Sequence, residues 1–179
     1  MILTKEYLSE QEDCIKRNFD VHISWGNNPY IRDRYMALRD FIAPGKTSIS
    51  IGSGGVEAHA IHATHALDVH PVAHELLKSI GWKGIFKLGS CTFIPYPDKS
   101  FDYAVCSEVI EHLPTLDDVR KTFLEINRIA KRWMVTTPAI DVHEKTHKFL
   151  FTINDLYNLA GDLDVKINRR GIFYYVTKE

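Results

Sequence analysis

The sequence lacks an excess of charge of either sign, a long hydrophobic run and a leader-like N-terminus. Its 22 basic and 23 acidic residues leave a net charge of −1, which argues against proteins that bind nucleic acid through a strongly basic face. No run reaches the roughly 18 apolar residues of a membrane-spanning helix. Charges at Lys5 and Glu6 fall where a signal peptide has its apolar core. The sequence therefore predicts a cytoplasmic protein with no membrane partner.

Disulfide frameworks, linkers and repeats are also missing. The three cysteines, Cys14, Cys91 and Cys106, are odd in number and lack the spacing of metal ligands, which indicates reduced thiols. No repeat and no linker rich in proline, glycine or serine divides the 179 residues, a length typical of one domain. We expect a single domain over residues 1–179, with a helical cap region at 1–45 and a core at 46–179.

What the sequence does contain is an alternation of strand-like and helix-like segments. Apolar or β-branched runs predict seven strands, at Thr47–Ile51, Ala66–Val69, Ile85–Leu88, Tyr103–Cys106, Trp133–Thr136, Val165–Asn168 and Phe173–Thr177. Helical periodicity and start signals predict helices at Pro29–Phe41, Val56–Ala63, Pro71–Ile80, Leu116–Ile129 and Asn154–Ala160.

This order predicts an α/β fold with a mostly parallel sheet and helices on both of its faces. The last two predicted strands are joined only by Arg169–Gly171. Because so short a link permits only antiparallel pairing, we expect about seven strands, with one antiparallel strand near the C-terminal edge.

A glycine-rich turn, Gly52–Gly55, follows the first predicted strand, where such sheets bind ligands. A phosphate-binding P-loop is disfavoured because Gly45-Lys46-Thr47 precedes that strand and lacks the earlier glycine. A dinucleotide fingerprint is disfavoured because Glu57, at its last position, would face pyrophosphate. A nucleoside without phosphates needs only the tight turn and an acid at the end of the second strand, and Asp68 is such an acid.

One long segment carries a family resemblance. Residues 89–113 read Gly-Ser-Cys-Thr-Phe-Ile-Pro-Tyr-Pro-Asp-Lys-Ser-Phe-Asp and then Tyr-Ala-Val-Cys-Ser-Glu-Val-Ile-Glu-His-Leu. This closely resembles a motif of the class I S-adenosylmethionine-dependent methyltransferases of the type 11 group. Further similarity lies in Glu125–Arg128, Thr136–Pro138 and His147–Thr152. The resemblance spans about residues 48–179 and implies a Rossmann-like sandwich, S-adenosyl-L-methionine as cofactor and methyl transfer as the activity.

The resemblance also implies cofactor contacts. The glycine turn and the end of the fourth strand would lie beside the methionine part, an acid would hold the ribose, and two residues would contact the adenine. The contacts to the methionine part are Gly52, Ser53, Gly54 and Ser107. The ribose contact is Asp68, and the adenine contacts are Ser90 and Cys91.

Three positions depart from the family pattern. Ser50 replaces the usual acid at the end of the first strand, Val56 replaces the last glycine, and Ser90 replaces the acid on the adenine side. A serine hydroxyl accepts a hydrogen bond but offers no negative charge to the ammonium group of the cofactor. One alternative is therefore a degenerate protein that binds S-adenosylmethionine or S-adenosylhomocysteine without catalysis.

Glu111 and His112 are the candidate catalytic residues, since the resemblance places their turn at the mouth of the cofactor site. If this turn begins a helix, Glu108 shares a face with both, and His112 could orient the acceptor or act as a general base. The alternative is that Glu111 and His112 only organise the turn. We predict no metal site, either here or in the His59, His62 and His65 series.

The acceptor is not readable from the sequence, and we expect a small molecule. The links that usually select the acceptor are short, so the region 1–45, with Trp25, Tyr30 and Arg34, is expected to cover the site. A homodimer, in which a second subunit covers it, is the alternative. Another alternative adds His147 to the Glu108–His112 turn, because this set is similar to the metal site of RNA 3′-terminal 2′-O-methyltransferases, which would make nucleic acid the partner.

Overall fold

The computed structural model describes residues 4–179, so the first three residues of the predicted cap region lie outside the described part. Its strands are β1 (Ser48–Ile51), β2 (His65–Asp68), β3 (Ile85–Leu88), β4 (Phe101–Ser107), β5 (Ala130–Pro138), β6 (Lys166–Arg170) and β7 (Phe173–Lys178). Its α-helices are α1 (Lys5–Ile23), α2 (Pro29–Phe41), α3 (Glu57–Ala60), α4 (Pro71–Ser79), α5 (Leu116–Ile129) and α6 (Ile153–Ala160).

The strands form one sheet in the order β3-β2-β1-β4-β5-β7-β6. The first five of these run parallel, and β7 is antiparallel to both of its neighbours. The predicted fold class is thereby confirmed. The chain leaves β1 toward β2 on one side and later returns to place β4 on the other side. This reversal opens a crevice at the carboxyl ends of β1 and β4.

Two apolar layers cover the two faces of the sheet. Successive side chains of a strand point to opposite faces, so Trp133 and Val135 of β5 belong to the layer under α5 and α6, whereas Met134 belongs to the layer under α2. Helix α2 places Tyr35 and Leu38 in that second layer. The cap region is therefore packed into the core rather than tethered to it.

Helix α5 follows directly from its sequence pattern. The side-chain oxygen of Thr115 caps the helix by accepting a hydrogen bond from the Asp118 amide at 3.1 Å, as an N-cap threonine does. The apolar stripe then buries Val119, Phe123, Ile126 and Ile129 against the sheet.

The boundaries differ from the predictions where local geometry ends an element. Helix α3 stops at Ala60 because the chain turns at His62, whose φ is +58°. The turn after β4 is a single 3-10 turn, Ile110–His112, rather than the start of an α-helix. Strand β5 spans nine residues, and helix α1 was not predicted as an element. Among residues 4–179, no helix has the length and apolar character needed to cross a membrane.

Two substitutions on α5 test this packing. Ile126 is fully buried and Leu124, on the same helix, is 59% exposed. We expect Ile126→Ala to lower the free energy of unfolding by about 2–5 kcal/mol through lost burial and a cavity. Leu124→Ala should change it by less than about 0.5 kcal/mol. Urea unfolding of both variants measures the difference, and equal effects would contradict the described helix face.

Candidate functional site

A cavity of about 240 Å³ opens at the carboxyl ends of the central strands. Most of the predicted site residues line it, namely Gly52, Ser53, Gly54, Asp68, Cys91, Ser107 and His112. Ser90 and Glu111 are not among the lining residues in the described chain. The structure thus brings together most of the positions that the resemblance implied.

The glycine turn brings bare backbone to the cavity wall. Gly52 has a φ of +70°, and a Cβ atom there would lie 2.3 Å from Val109 Cγ2, so both conformation and space require glycine. A Cβ on Gly54 would meet only the Gly52 carbonyl oxygen, at 4.0 Å, which leaves open space beyond that backbone. The Ser53 hydroxyl is buried beside it without a hydrogen-bond partner in the described chain.

Asp68 ends β2 and faces the cavity. Its Oδ2 accepts a hydrogen bond from the Gly54 amide and its Oδ1 from the His70 amide, both at 3.1 Å. Burial raises the pKa of this carboxyl, and the backbone amides oppose that effect. Because each carboxylate oxygen has further acceptor capacity, the fixed group can still accept two hydrogen bonds from a ligand diol.

Glu57 supplies the acid that Ser50 lacks. The Ser50 hydroxyl donates to Glu57 Oε1 at 2.8 Å, and Glu57 lines the cavity although it is only 4% exposed. Burial raises the pKa of Glu57 to about 7, opposed by the charge of Arg34 and by hydrogen bonds from Ser50 and Ser107. Sequence reasoning used Glu57 only to disfavour pyrophosphate and missed that its side chain turns back to β1.

Arg34 of α2 is the buried cation of the site. Its Nη1 lies 3.3 Å from Glu108 Oε2, and its guanidinium lies over the rings of Tyr35 and Phe173 at 5.3 and 5.0 Å from their centroids. Its Nε is buried with no hydrogen-bond partner in the described chain. Glu108 adopts a φ of +57° and accepts a hydrogen bond from Thr136 Oγ1 at 2.9 Å.

Helix α1 closes one side of the cavity with one of its faces. The lining residues from this helix are Tyr7, Gln11, Cys14, Ile15, Asn18 and His22. Tyr7, Gln11, Cys14, Asn18 and His22 follow one another at intervals of three or four residues. This helical spacing is the sequence signal that could have revealed the face. Of the expected cover residues, Arg34 lines the cavity, Trp25 packs edge-on against Tyr35, and Tyr30 is 55% exposed.

The two residues predicted to contact the adenine, Cys91 and Ser90, have different surroundings. Cys91 is buried on the cavity wall and accepts a hydrogen bond from Thr122 Oγ1 at 3.3 Å. Burial raises the pKa of its thiol to about 11, so it offers a neutral, weakly polar surface. The Ser90 hydroxyl instead bonds within its own loop, to Thr92.

His112 and His147 line the cavity, and Glu111 is buried next to them. Glu108 does not share a helical face with Glu111 and His112, because its positive φ precedes a 3-10 turn. Glu111 is fully buried and accepts from Thr137 Oγ1 at 3.1 Å. Burial, together with the charge of Glu108, holds its pKa well above the ordinary range. Burial lowers the pKa of His112 to about 4. The catalytic roles of Glu111 and His112 stay predictions.

The buried carboxyl of Glu57 should lower stability at high pH. Its pKa of about 7 exceeds the ordinary 4.5, so the folded state holds a proton that the unfolded chain releases between these values. The free energy of unfolding that depends on Glu57 therefore falls as pH rises through this window. We expect ligand-free Glu57→Gln to exceed the wild type in stability by up to about 3 kcal/mol at pH 8.

Urea unfolding at pH 5 and pH 8 measures this difference, which should shrink toward pH 5. Glu75→Gln, on the exposed side of α4, is the matched control and should show no such change. If the difference in unfolding free energy between Glu57→Gln and the wild type is the same at both pH values, the proposed cost of ionising buried Glu57 is contradicted.

Comparisons with known proteins agree with this fold. Residues 49–133 match the family model described as a methyltransferase domain. A search of curated proteins found no significant match. A structure of an S-adenosylmethionine-dependent methyltransferase from Thermotoga maritima has a TM-score of 0.68 at 16% identity, over 97% of this chain and 98% of that one.

Two further structures share the fold. One is an S-adenosylmethionine-dependent methyltransferase from Aquifex aeolicus, with a TM-score of 0.62, 17% identity, and coverage of 81% of this chain and 88% of that one. The other, from Pyrococcus horikoshii, has a TM-score of 0.66, 16% identity, and coverage of 84% and 91%.

The family model matches the part of the chain that holds the glycine turn, Asp68 and the motif after β3. The predicted family and its cofactor, S-adenosylmethionine, are confirmed. Residues 49–133 match the methyltransferase-domain family, and the chain has the fold of the class I S-adenosylmethionine-dependent methyltransferases.

Proposed function

We propose that this protein transfers the methyl group of S-adenosylmethionine to a small-molecule acceptor bound under helix α1. The observation that carries the proposal is that two buried acids, Asp68 and Glu57, line one cavity together with the glycine turn. A nucleoside joined to an amino acid has a diol at one end and a charged ammonium at the other. The two carboxylates match these two groups.

The cavity wall fits the cofactor at the ribose. Asp68 would accept hydrogen bonds from the two ribose hydroxyls, since backbone amides already fix its orientation and leave acceptor capacity free. The open backbone at Gly54 and the unpartnered Ser53 hydroxyl would face the chain between ribose and methionine.

The amino-acid end of the cofactor is a zwitterion, and the site holds both complementary charges. Glu57 would bind the ammonium, and Arg34, with its unpartnered Nε, would bind the carboxylate. Arg34 is close enough to lower the pKa of Glu57. Because buried charges are costly unless paired, a bound zwitterion would relieve the incomplete pairing of both groups.

When bound, the cofactor supplies a methyl carbon already activated by the sulfonium. The residues of this chain therefore have only to hold an acceptor in line with that carbon and to keep water away. Ser107 and Thr136, joined by a 2.9 Å hydrogen bond, would set the floor beneath the methionine part. Burial lowers the pKa of His112 to about 4, so its imidazole on the cavity wall would be neutral at physiological pH.

A small acceptor is supported by the cover over the site. Helices α1 and α2 supply Gln11, Asn18, His22 and Tyr35 to the cavity, and the Tyr35 hydroxyl bonds His22 Nδ1 at 3.0 Å. These groups form a polar part of the cavity wall. We assign the acceptor to that surface.

Asp68→Asn tests the ribose contact. The amide keeps the shape but loses the charge and sets an N–H₂ group against a backbone N–H. We expect the dissociation constant for S-adenosylmethionine, measured by calorimetry, to rise at least about tenfold. Asp162→Asn, at an exposed position after α6, is the control and should bind like the wild type. Wild-type affinity in Asp68→Asn, with native circular dichroism, would defeat the proposal.

Moving the carboxylate tests the ammonium contact. Glu57→Gln should weaken binding by about tenfold, since a charge-assisted hydrogen bond is lost. The double variant Glu57→Gln with Ser50→Asp returns a carboxylate to the end of β1 and should recover part of the affinity. If Glu57→Gln binds the cofactor as the wild type does, Glu57 does not bind the ammonium group. Tight binding without methyl transfer to any acceptor would favour the degenerate protein.

A further inference from the structure

Three neighbouring side chains, two of them on the cavity wall, have the composition of a metal site. Glu111, His112 and His147 each offer one ligand atom, and these atoms lie within 4.8 Å of one another. The first two belong to the turn after β4, and His147 belongs to the segment between β5 and α6. Ligands about a tetrahedral ion lie roughly 3.5 Å apart at bond lengths of 2.0–2.2 Å. Small side-chain rotations would therefore close the set.

Glu111 has one oxygen more than its structural role requires. Its backbone oxygen accepts from the amides of Lys148 and Phe149 at 2.7 and 3.3 Å, and its Oε2 accepts from Thr137. These bonds fix the turn to the neighbouring segment. The remaining Oε1 is fully buried and has no hydrogen-bond partner in the described chain. A buried acceptor left unsatisfied is costly, and a cation or a proton would remove that cost.

The two histidines are arranged as ligands usually are. Nδ1 of His112 lies 3.3 Å from the carbonyl oxygen of Thr146. A proton on Nδ1 leaves Nε2 with a free lone pair, which is the arrangement that orients metal-bound histidines. Nε2 of His147 lies 4.0 Å from Glu111 Oε1, too far for a hydrogen bond. The two rings meet edge-on with centroids 4.7 Å apart.

The position and the chemistry of these three side chains indicate which kind of ion they would bind. His112 and His147 line the cavity, as does the nearby Glu144, so an ion could enter and keep a position open toward the cavity. Two imidazoles and one carboxylate form the protein ligand set of open, three-ligand zinc sites. Imidazole favours first-row transition ions over Mg²⁺ and Ca²⁺, which prefer oxygen alone.

We propose that Glu111, His112 and His147 bind one divalent transition-metal ion, with an open coordination position that faces the cavity. This differs from the expectation of no metal and leaves out Glu108, which pairs with Arg34 instead. The site is assigned without the cofactor, so its test is separate from that of methyl transfer.

The test is a titration of the full chain with Co²⁺ in the absence of S-adenosylmethionine, followed by calorimetry and by visible absorption. We expect one Co²⁺ per chain and the absorption of a four- or five-coordinate ion. His147→Ala should weaken binding by more than about tenfold, since even residues behind the ligands contribute that much. His143→Ala is the matched control because its side chain is 90% exposed in the same segment, and it should bind as the wild type does.

Glu111→Gln provides a second, isosteric variant. It should also lose Co²⁺ binding while keeping the wild-type circular dichroism spectrum. Absence of Co²⁺ binding to the wild type would overturn the proposal and leave Glu111 as a protonated structural group. Equal affinity in His147→Ala and the wild type, or equal losses in His147→Ala and His143→Ala, would overturn it as well, since the ion would then lie elsewhere.

Discussion

Burial of charge at the carboxyl ends of β1 and β4 is the constraint around which the rest of this structure is arranged. Arg34 and Glu57 are buried and Glu108 is partly buried at one place, and isolated buried charges are unstable without partners. Their partners come from four elements. Helix α2 supplies the cation, β1 and β5 supply the hydroxyls of Ser50 and Thr136, and the turn after β4 supplies Glu108.

This arrangement explains why the cap region is part of the core. Arg34 reaches Glu108 from α2, and the buried side chains of Tyr35 and Leu38 hold this helix against the sheet. Helix α1 then closes the cavity from the adjoining side. A single domain over residues 1–179 with a cap at 1–45 remains our proposal for the organisation of the chain, and the buried arginine is the reason we favour it.

The incomplete pairing also relates stability to binding. Glu57 holds a proton near neutrality because burial outweighs the charge of Arg34, and Arg34 keeps an unpartnered Nε. Both features cost stability in the ligand-free protein, and both would be relieved by a zwitterionic ligand. Incomplete pairing of this kind is typical of binding sites, where some residues are less stable in the free protein than residues elsewhere.

Much of the fold could be predicted from sequence because its signals are local. The stripe of α5 and the proline start of α2 gave the observed helix bounds, since burial and capping act within a few residues. Helix α1 was not predicted because its lining face is polar, with Gln11, Asn18 and His22 in place of a continuous apolar stripe. The role of Glu57 was not predicted for a different reason. Its carboxyl turns back seven residues to Ser50, and only the tertiary turn at Gly52 brings the two together.

The most direct test of this account is a crystal structure of the protein with S-adenosylhomocysteine. The account predicts that both ribose hydroxyls lie within hydrogen-bond distance of Asp68. It also predicts the ammonium against Glu57 and the carboxylate against Arg34. A bound ligand whose amino-acid end points away from Glu57 and Arg34, or whose ribose does not contact Asp68, would contradict it.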